Sequence, residues 1–331
     1  MARIGIVGVS GYGGGELLRL VAGHPSFELA YAAGEASAGQ ALSELYPWLA
    51  RRNEGALVVQ PFEPAKLAGI DLVFVSLPTG KSRDPLAHVP KTVKIVDVGG
   101  DHRFIEGWTY GLTELPGQRA QIARATRLAN PGCYPAAALL ALAPLVRERL
   151  VETEGIVIDA KSGVTGAGRG GASAFGYAET NEDLFAYGLG SHPHVPEIET
   201  ALSELGGARA SVAFTPHLVP MSRGLLATCY ARPRGTADAE RLFEAASAVY
   251  RDEPFIQVTR MRSGAGPHTG WATGSNFAFV SYTINARTGL VVALGAIDNL
   301  GKGAAGQALQ NANLMMGQPE TAGLAALPLR P

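Results

Sequence analysis

A short apolar strand that runs into spaced glycines and then into a helix opens the chain, and few folds accept that order. Ile4–Val7 is the strand, Gly8-Val9-Ser10-Gly11-Tyr12-Gly13-Gly14-Gly15 the turn, and Glu16-Leu17-Leu18-Arg19-Leu20-Val21 the helix. Gly8-x-x-Gly11-x-x-Gly14 is a variant of G-x-G-x-x-G, in which glycines let the backbone approach a pyrophosphate at a helix N-terminus. The pattern predicts an α/β domain with a parallel sheet and a dinucleotide at its first turn. Gly8, Ser10, Gly11, Tyr12 and Gly14 are the candidate contacts, a bare tight turn being the alternative.

The next segments continue that domain. Phe27–Ala33 reads as a second strand, ending in Gly34-Glu35-Ala36-Ser37, where an adenosine ribose would be read. Glu35 would accept from a 2′-hydroxyl and repel a 2′-phosphate, which points to NAD. Ser37 could serve a phosphate, and a solvated loop carboxylate is the other reading of Glu35. The unbroken apolar run Asp71–Leu77 suits a buried parallel strand. Lys94–Val98 is a further strand, followed by Asp101 and by Arg103, a residue suited to forked phosphate binding or to a structural role. Tyr110–Pro116 reads as a loop and Thr126–Ala129 as the last strand.

That strand delivers Asn130-Pro131-Gly132-Cys133-Tyr134-Pro135, and Ala136–Val146 has the Ala/Leu composition of a buried helix. Pro135 suits a first helical position, which puts Cys133 at the helix N-terminus. There the macrodipole favours a thiolate and a pKa below the free value of about 8.5. A small buried hydrophobe is the other reading of this cysteine.

Downstream, the strand Gly155–Lys161 runs into the glycine-rich loop Ser162–Gly171, a functional loop or a flexible linker. His192-Pro193-His194 would share a face in extended chain, as a general base with its partner or as part of a metal site. No third ligand cluster joins them, and no metal is expected. Ser211–Pro220 and Leu225–Arg232 are strands, with Cys229 a core residue. Asp238–Tyr250 reads as a helix, Phe277–Ile284 with Leu290–Ile297 as a hairpin, and Ala304–Met316 as a terminal helix.

The totals exclude several classes. Across 331 residues, 47% are hydrophobic and 17% charged, and the net charge is −1. A chain of that size divides into two domains. The charge leaves no footprint for nucleic acid or an anionic membrane. No apolar run reaches the roughly 20 residues of a membrane span. Met1–Gly5 enters a strand directly, which predicts no signal peptide, and two cysteines form no disulfide framework. The expectation is a cytoplasmic protein with reduced thiols.

Five motifs occur in one order: Gly8-x-Ser10-Gly11-Tyr12-x-Gly14-x-Glu16-Leu17, Asn130–Pro135, Ser162–Arg169, His192-x-His194-x-Pro196-Glu197-Ile198 and Asp298-Asn299-Leu300-x-Lys302-Gly303. Together they resemble N-acetyl-gamma-glutamyl-phosphate reductase, a relative of aspartate-semialdehyde dehydrogenase, over nearly the whole chain. The resemblance implies a Rossmann-type dinucleotide-binding domain plus an α+β catalytic and dimerisation domain of the semialdehyde dehydrogenase type. The first would take residues 1–132 and 304–331, the second 133–303.

It also implies NADPH-dependent reduction of an acyl phosphate to an aldehyde, releasing inorganic phosphate, through a thioester on Cys133. His192 would be the base and His194 its partner. Arg103 would hold the phosphate, with Asn130, Arg169 and Arg223 as further substrate contacts. Ser162 and Gly163 would lie near the nicotinamide or substrate, and Asn299 near the carboxamide. A homodimer or homotetramer is implied.

The chain departs from the family pattern at Pro193, where an Arg is common, at Thr79 in place of a His, and at His102 in the Asp-Phe-Arg element. Glu35 keeps NAD open beside NADP. Competing readings are a lysine-pathway aminoadipyl-phosphate reductase acting on a carrier protein, and a non-catalytic nucleotide-binding relative.

Overall fold

The computed structural model describes residues 1–169 and 177–329; Gly170 and Gly171 of the expected glycine-rich loop lie outside them. The chain forms two compact units, Met1–Pro131 with Ala304–Ala325, and Gly132–Gly303 with Ala326–Pro331.

The first unit begins with β1 (Ala2–Val7), α1 (Tyr12–Ala22) and β2 (Phe27–Ala33). The helix starts four residues earlier than its apolar residues suggest, because glycines cost least in a first turn whose N–H groups have no helical partner. An excursion follows, containing α2 (Leu42–Leu45), before β3 (Leu72–Val75), α3 (Arg83–Ala87), β4 (Lys94–Asp97), β5 (Thr109–Tyr110), α4 (Gln118–Arg124) and β6 (Arg127–Ala129). The two-residue β5 lies in the stretch expected to be loop. All strand pairs are parallel and the order is β2-β1-β3-β4-β6-β5. Chain direction across the sheet switches between β1 and β3, so the crevice at their C-terminal ends is the natural ligand position. Val7, Val73, Val75 and Ile95 fill the core beneath it.

The second unit is built on α5 (Cys133–Arg147), buried without a break from Tyr134 to Val146. It continues with β7 (Ile156–Gly163), α6 (Tyr177–Thr180), β8 (Phe185–Ala186), α7 (His194–Gly206), β9 (Val212–Val219), β10 (Leu225–Ala231), α8 (Ala239–Val249), β11 (Ile256–Val258), β12 (Ala278–Ile284) and β13 (Val291–Ile297). These strands form one mixed sheet, β11-β12-β13-β10-β7-β9-β8. Along β10 buried and half-buried residues alternate strictly, so one face of the sheet is core and the other is open. α5 lies on the core face, against β10 and β13.

The chain rejoins the first unit as α9 (Gly306–Met315), preceded by a π-turn over Gly301–Ala305. The tail then parts from it, and Leu329 N donates to Thr273 O in the second unit. Among the described residues no helix is long and apolar enough to cross a membrane.

Candidate active site

In the first unit the glycine turn is drawn tight. Gly8 has φ +82°, and a Cβ there would run into the carbonyl of Ser76, just beyond β3. A Cβ on Gly14 would strike Gly8 O, so only glycine lets α1 seat on the turn. Gly11, by contrast, faces open space apart from Gly8 O at 3.4 Å, and no side chain caps the helix. A helix start without a side-chain cap, beside an accessible glycine, suits a pyrophosphate. These residues fit a dinucleotide.

At the end of β2, Ser37 and Ser10 converge on Gly34, where a Cβ would lie 2.9 Å from Ser37 Oγ and 3.3 Å from Ser10 Oγ. Ser37 Oγ is buried with no hydrogen-bond partner. Glu35 turns away, its Oε1 3.5 Å from the N–H of Phe62. Tyr12 is the first residue of α1. Tyr46, which the sequence reading missed, donates from its hydroxyl to Val9 O at 2.8 Å and buttresses the turn from the excursion after β2.

Arg103 and Asn130 meet in this unit: Arg103 Nε donates to Asn130 O at 2.9 Å. His102 holds buried Asp97 at 2.6 Å and stacks on Trp108 with ring centroids 3.9 Å apart. A flat imidazole thus lies on an indole at the position where the family pattern has Phe.

In the second unit Cys133 is the first residue of α5, with Gly132 as N-cap. The helix therefore begins two residues before Pro135, which takes the third position, where a missing N–H still costs nothing. The histidines do not lie in extended chain. Pro193 adopts helical dihedrals, His194 opens α7, and His192 Nδ1 accepts from His194 N at 3.2 Å. Proline in the αR region drives the chain into the helix. The two rings are 4.7 Å apart at 62°. Cys133, His192, His194, Tyr187 and the Gly166–Ala167 turn line one cavity of about 220 Å³.

Two close approaches fix the thiol. A Cβ on Gly132 would lie 2.7 Å from His194 Cε1, and one on Gly303 would lie 2.8 Å from Cys133 Cβ. The buried Glu197 carboxylate accepts from Gly132 N at 2.9 Å.

Aromatic rings enclose His192: Tyr134 at 5.8 Å, Tyr187 at 5.6 Å and Phe214 at 5.2 Å. Burial holds its pKa down to about 4, so the ring is neutral at neutral pH. With Nδ1 accepting from His194 N, a neutral His192 carries its own proton on Nε2. Burial pushes Tyr187 up to about 12, and its hydroxyl donates to Tyr134 Oη at 3.2 Å.

The remaining candidates brace the cavity wall. Asn299 accepts from Gly224 N at 2.8 Å and donates to Thr165 Oγ1 at 2.9 Å, clipping two loops together. Gly163 N donates to Gly224 O at 2.9 Å, and Ser162 Oγ to Gly163 O at 3.1 Å. Ser162 Oγ and Asn299 Nδ2 both back onto Gly166, which lines the same cavity as Cys133. Arg223 Nε donates to the fully buried carboxylate of Asp298 at 2.8 Å, whereas Arg169 is exposed. Cys229 is core, and burial raises its pKa. Glu197 had a signal, standing one helical turn after His194; nothing around Tyr187 marked it.

A dinucleotide turn on a parallel sheet, and a helix-start cysteine beside two imidazoles on a mixed sheet, define a semialdehyde dehydrogenase-type oxidoreductase. The family model for the semialdehyde dehydrogenase NAD binding domain matches residues 3–125, and that for the semialdehyde dehydrogenase dimerisation domain matches residues 133–299. A nicotinamide dinucleotide is therefore the implied cofactor. Similar solved structures are aspartate semialdehyde dehydrogenase II from Vibrio cholerae, complexed with ASA, and the Candida albicans enzyme with NADP. The former has TM-score 0.75 and 18% identity over 96% of this chain and 98% of that one; the latter has TM-score 0.75 and 17% identity over 96% and 98%.

The chain belongs to the N-acetyl-gamma-glutamyl-phosphate reductase family. It is 57% identical to the reductase of Bradyrhizobium sp. (strain ORS 278) over 330 residues, 99% of each chain. It is 56% identical to that of Methylobacterium sp. (strain 4-46) over 331 residues, again 99% of each.

Proposed function

We propose that the protein reduces N-acetyl-L-glutamyl 5-phosphate to N-acetyl-L-glutamate 5-semialdehyde and inorganic phosphate, with NADPH, in arginine biosynthesis. The observation that carries this reading is Cys133 at the start of α5, in one cavity with two imidazoles. The Cys133 thiolate attacks the acyl carbon, the C–S bond forms, the C–O bond to phosphate breaks, and a thioester remains. A thiol suits both halves, because its thioester accepts hydride and its thiolate leaves readily. Reduced nicotinamide, when bound, supplies the hydride that takes the thioester carbon to the aldehyde level, and the C–S bond then breaks.

His194 is the proton-exchanging base in this reading and His192 a neutral donor to the carbonyl oxygen, since His192 Nδ1 is already taken. The first unit holds the dinucleotide through Gly8, Ser10, Gly11, Tyr12 and Gly14; the second carries the chemistry. Arg103 is assigned to phosphate and exposed Arg169 to the substrate carboxylate. Ser37, buried without a protein partner, and Glu35, turned toward Phe62, support NADP over NAD. The open sheet face, with half-buried Leu226, Tyr230, Phe279 and Leu294, suits a homodimer or a homotetramer of such pairs. A cytoplasmic location keeps the thiol reduced.

The test is the reverse assay with N-acetylglutamate semialdehyde, phosphate and NADP or NAD. Turnover with this aldehyde and NADP supports the reading. Turnover only with a carrier-bound aminoadipate semialdehyde overturns it in favour of the lysine-pathway reaction.

A further inference from the structure

Three glycines in a row, Gly13-Gly14-Gly15, stand near the start of α1, and each gives up its Cβ to one close neighbour. Gly14 makes room for Gly8 O. A Cβ on Gly13 would lie 2.7 Å from Ser76 Oγ, and one on Gly15 would lie 2.6 Å from Tyr46 Oη. Both distances are well inside van der Waals contact. Gly8 and Gly14 serve the turn itself; Gly15 serves a side chain from elsewhere.

Tyr46 comes directly after α2, in the excursion that follows β2. Its hydroxyl occupies the space that Gly15 leaves, and from there it donates to Val9 O at 2.8 Å.

That bond reaches the ligand side of the turn through the geometry of the peptide. The Val9–Ser10 peptide is planar and trans, so the Ser10 N–H points opposite to the Val9 carbonyl. Drawing Val9 O toward Tyr46 therefore turns the Ser10 N–H away from Tyr46. The peptides on either side are fixed by backbone. Gly8 N and Val9 N donate to Ala33 O at 2.8 and 3.0 Å, and Gly11 N donates to Gly8 O at 3.0 Å. The peptide between them is held by the tyrosine.

We propose that Tyr46 is a positioning residue for the dinucleotide: its hydroxyl holds Val9 O so that the Ser10 N–H stays directed at the pyrophosphate. The inference rests on the glycine turn holding the dinucleotide, and all its residues belong to the first unit. NADPH and NADH share the pyrophosphate, so Tyr46 acts on both alike, unlike a residue that meets the 2′-phosphate.

Tyr46→Phe tests it, since the ring stays and only the hydroxyl is lost. Binding is read without turnover, by titrating NADPH and NADH into the full chain and following nucleotide fluorescence. Both dissociation constants are expected to rise about 3- to 10-fold, as loss of one hydrogen bond produces, with their ratio unchanged. Tyr31→Phe is the control: the Tyr31 hydroxyl donates to Pro61 O at 3.3 Å, bracing the same excursion without touching the turn. It should keep both constants.

Gly15→Ala, which retains the hydroxyl but crowds it off Val9 O, should raise both constants too, and decides the matter should Tyr46→Phe not fold. Unchanged constants in the Tyr46 and Gly15 variants, an equal rise in Tyr31→Phe, or a rise for NADPH alone overturns the inference while leaving the glycine turn as the dinucleotide site. Failure of the unsubstituted protein to bind either nucleotide overturns both.

Discussion

The backbone N–H of His194 donates to Nδ1 of His192 over 3.2 Å, so a neutral His192 keeps its proton on Nε2. In the proposed mechanism the two histidines of one short motif therefore take different roles. His194→Gln is expected to remove the acid limb of the kcat/KM profile and to lower kcat by about 10²- to 10⁴-fold, as loss of a general base does. His192→Gln, which keeps an N–H donor, should retain that limb and lose less. A pH–rate series on both variants checks the assignment; an acid limb lost only in the His192 variant would reverse it.

The same burial has a consequence for stability. The His192 pKa is about 4 in the fold against 6.5 unfolded, so folding favours the neutral ring. As pH falls through 6.5 the unfolded chain takes up the proton first, and stability is lost progressively down to about pH 4. Denaturation midpoints of His192→Gln should fall less over that window than those of the unsubstituted protein.

Gly303→Ala would place a Cβ 2.8 Å from Cys133 Cβ, beside a carbonyl of Asp298 at 3.2 Å. Overpacking of this kind costs about 1–3 kcal/mol. Urea denaturation should show the loss, and alkylation of Cys133 should slow as the thiol is displaced.

Cofactor preference is expected to follow Ser37 and not Glu35. Ser37→Ala should raise the KM for NADPH several-fold and leave that for NADH nearly unchanged. Glu35→Gln should alter neither by more than about 2-fold, because the carboxylate already faces Phe62. Initial-rate kinetics with the two nucleotides separates these outcomes.

Much of this was legible in the residues. The Gly8–Gly14 spacing and the apolar strands carry the parallel sheet, since buried parallel strands read as unbroken apolar runs. The Ala/Leu helix after Cys133 needed only composition. Two-residue spacing of the histidines suggests extended chain; Pro193 in the αR region, with His194 N donating to His192 Nδ1, makes it a helix start. Tyr187 and Tyr46 gave no local sign, because each acts on a partner far along the chain. The ion pair between Arg223 and Asp298, buried and 75 residues on, gave no local sign either.

The central claim, a thioester on Cys133, is tested most directly by running the reaction in reverse without phosphate. Mixed rapidly with N-acetylglutamate semialdehyde and NADP, the enzyme should release one burst of NADPH equal to its titrated thiol and then stop. Added phosphate should restore steady turnover, and Cys133→Ser should give neither phase. Steady turnover without phosphate, or a burst that survives Cys133→Ser, would contradict the account.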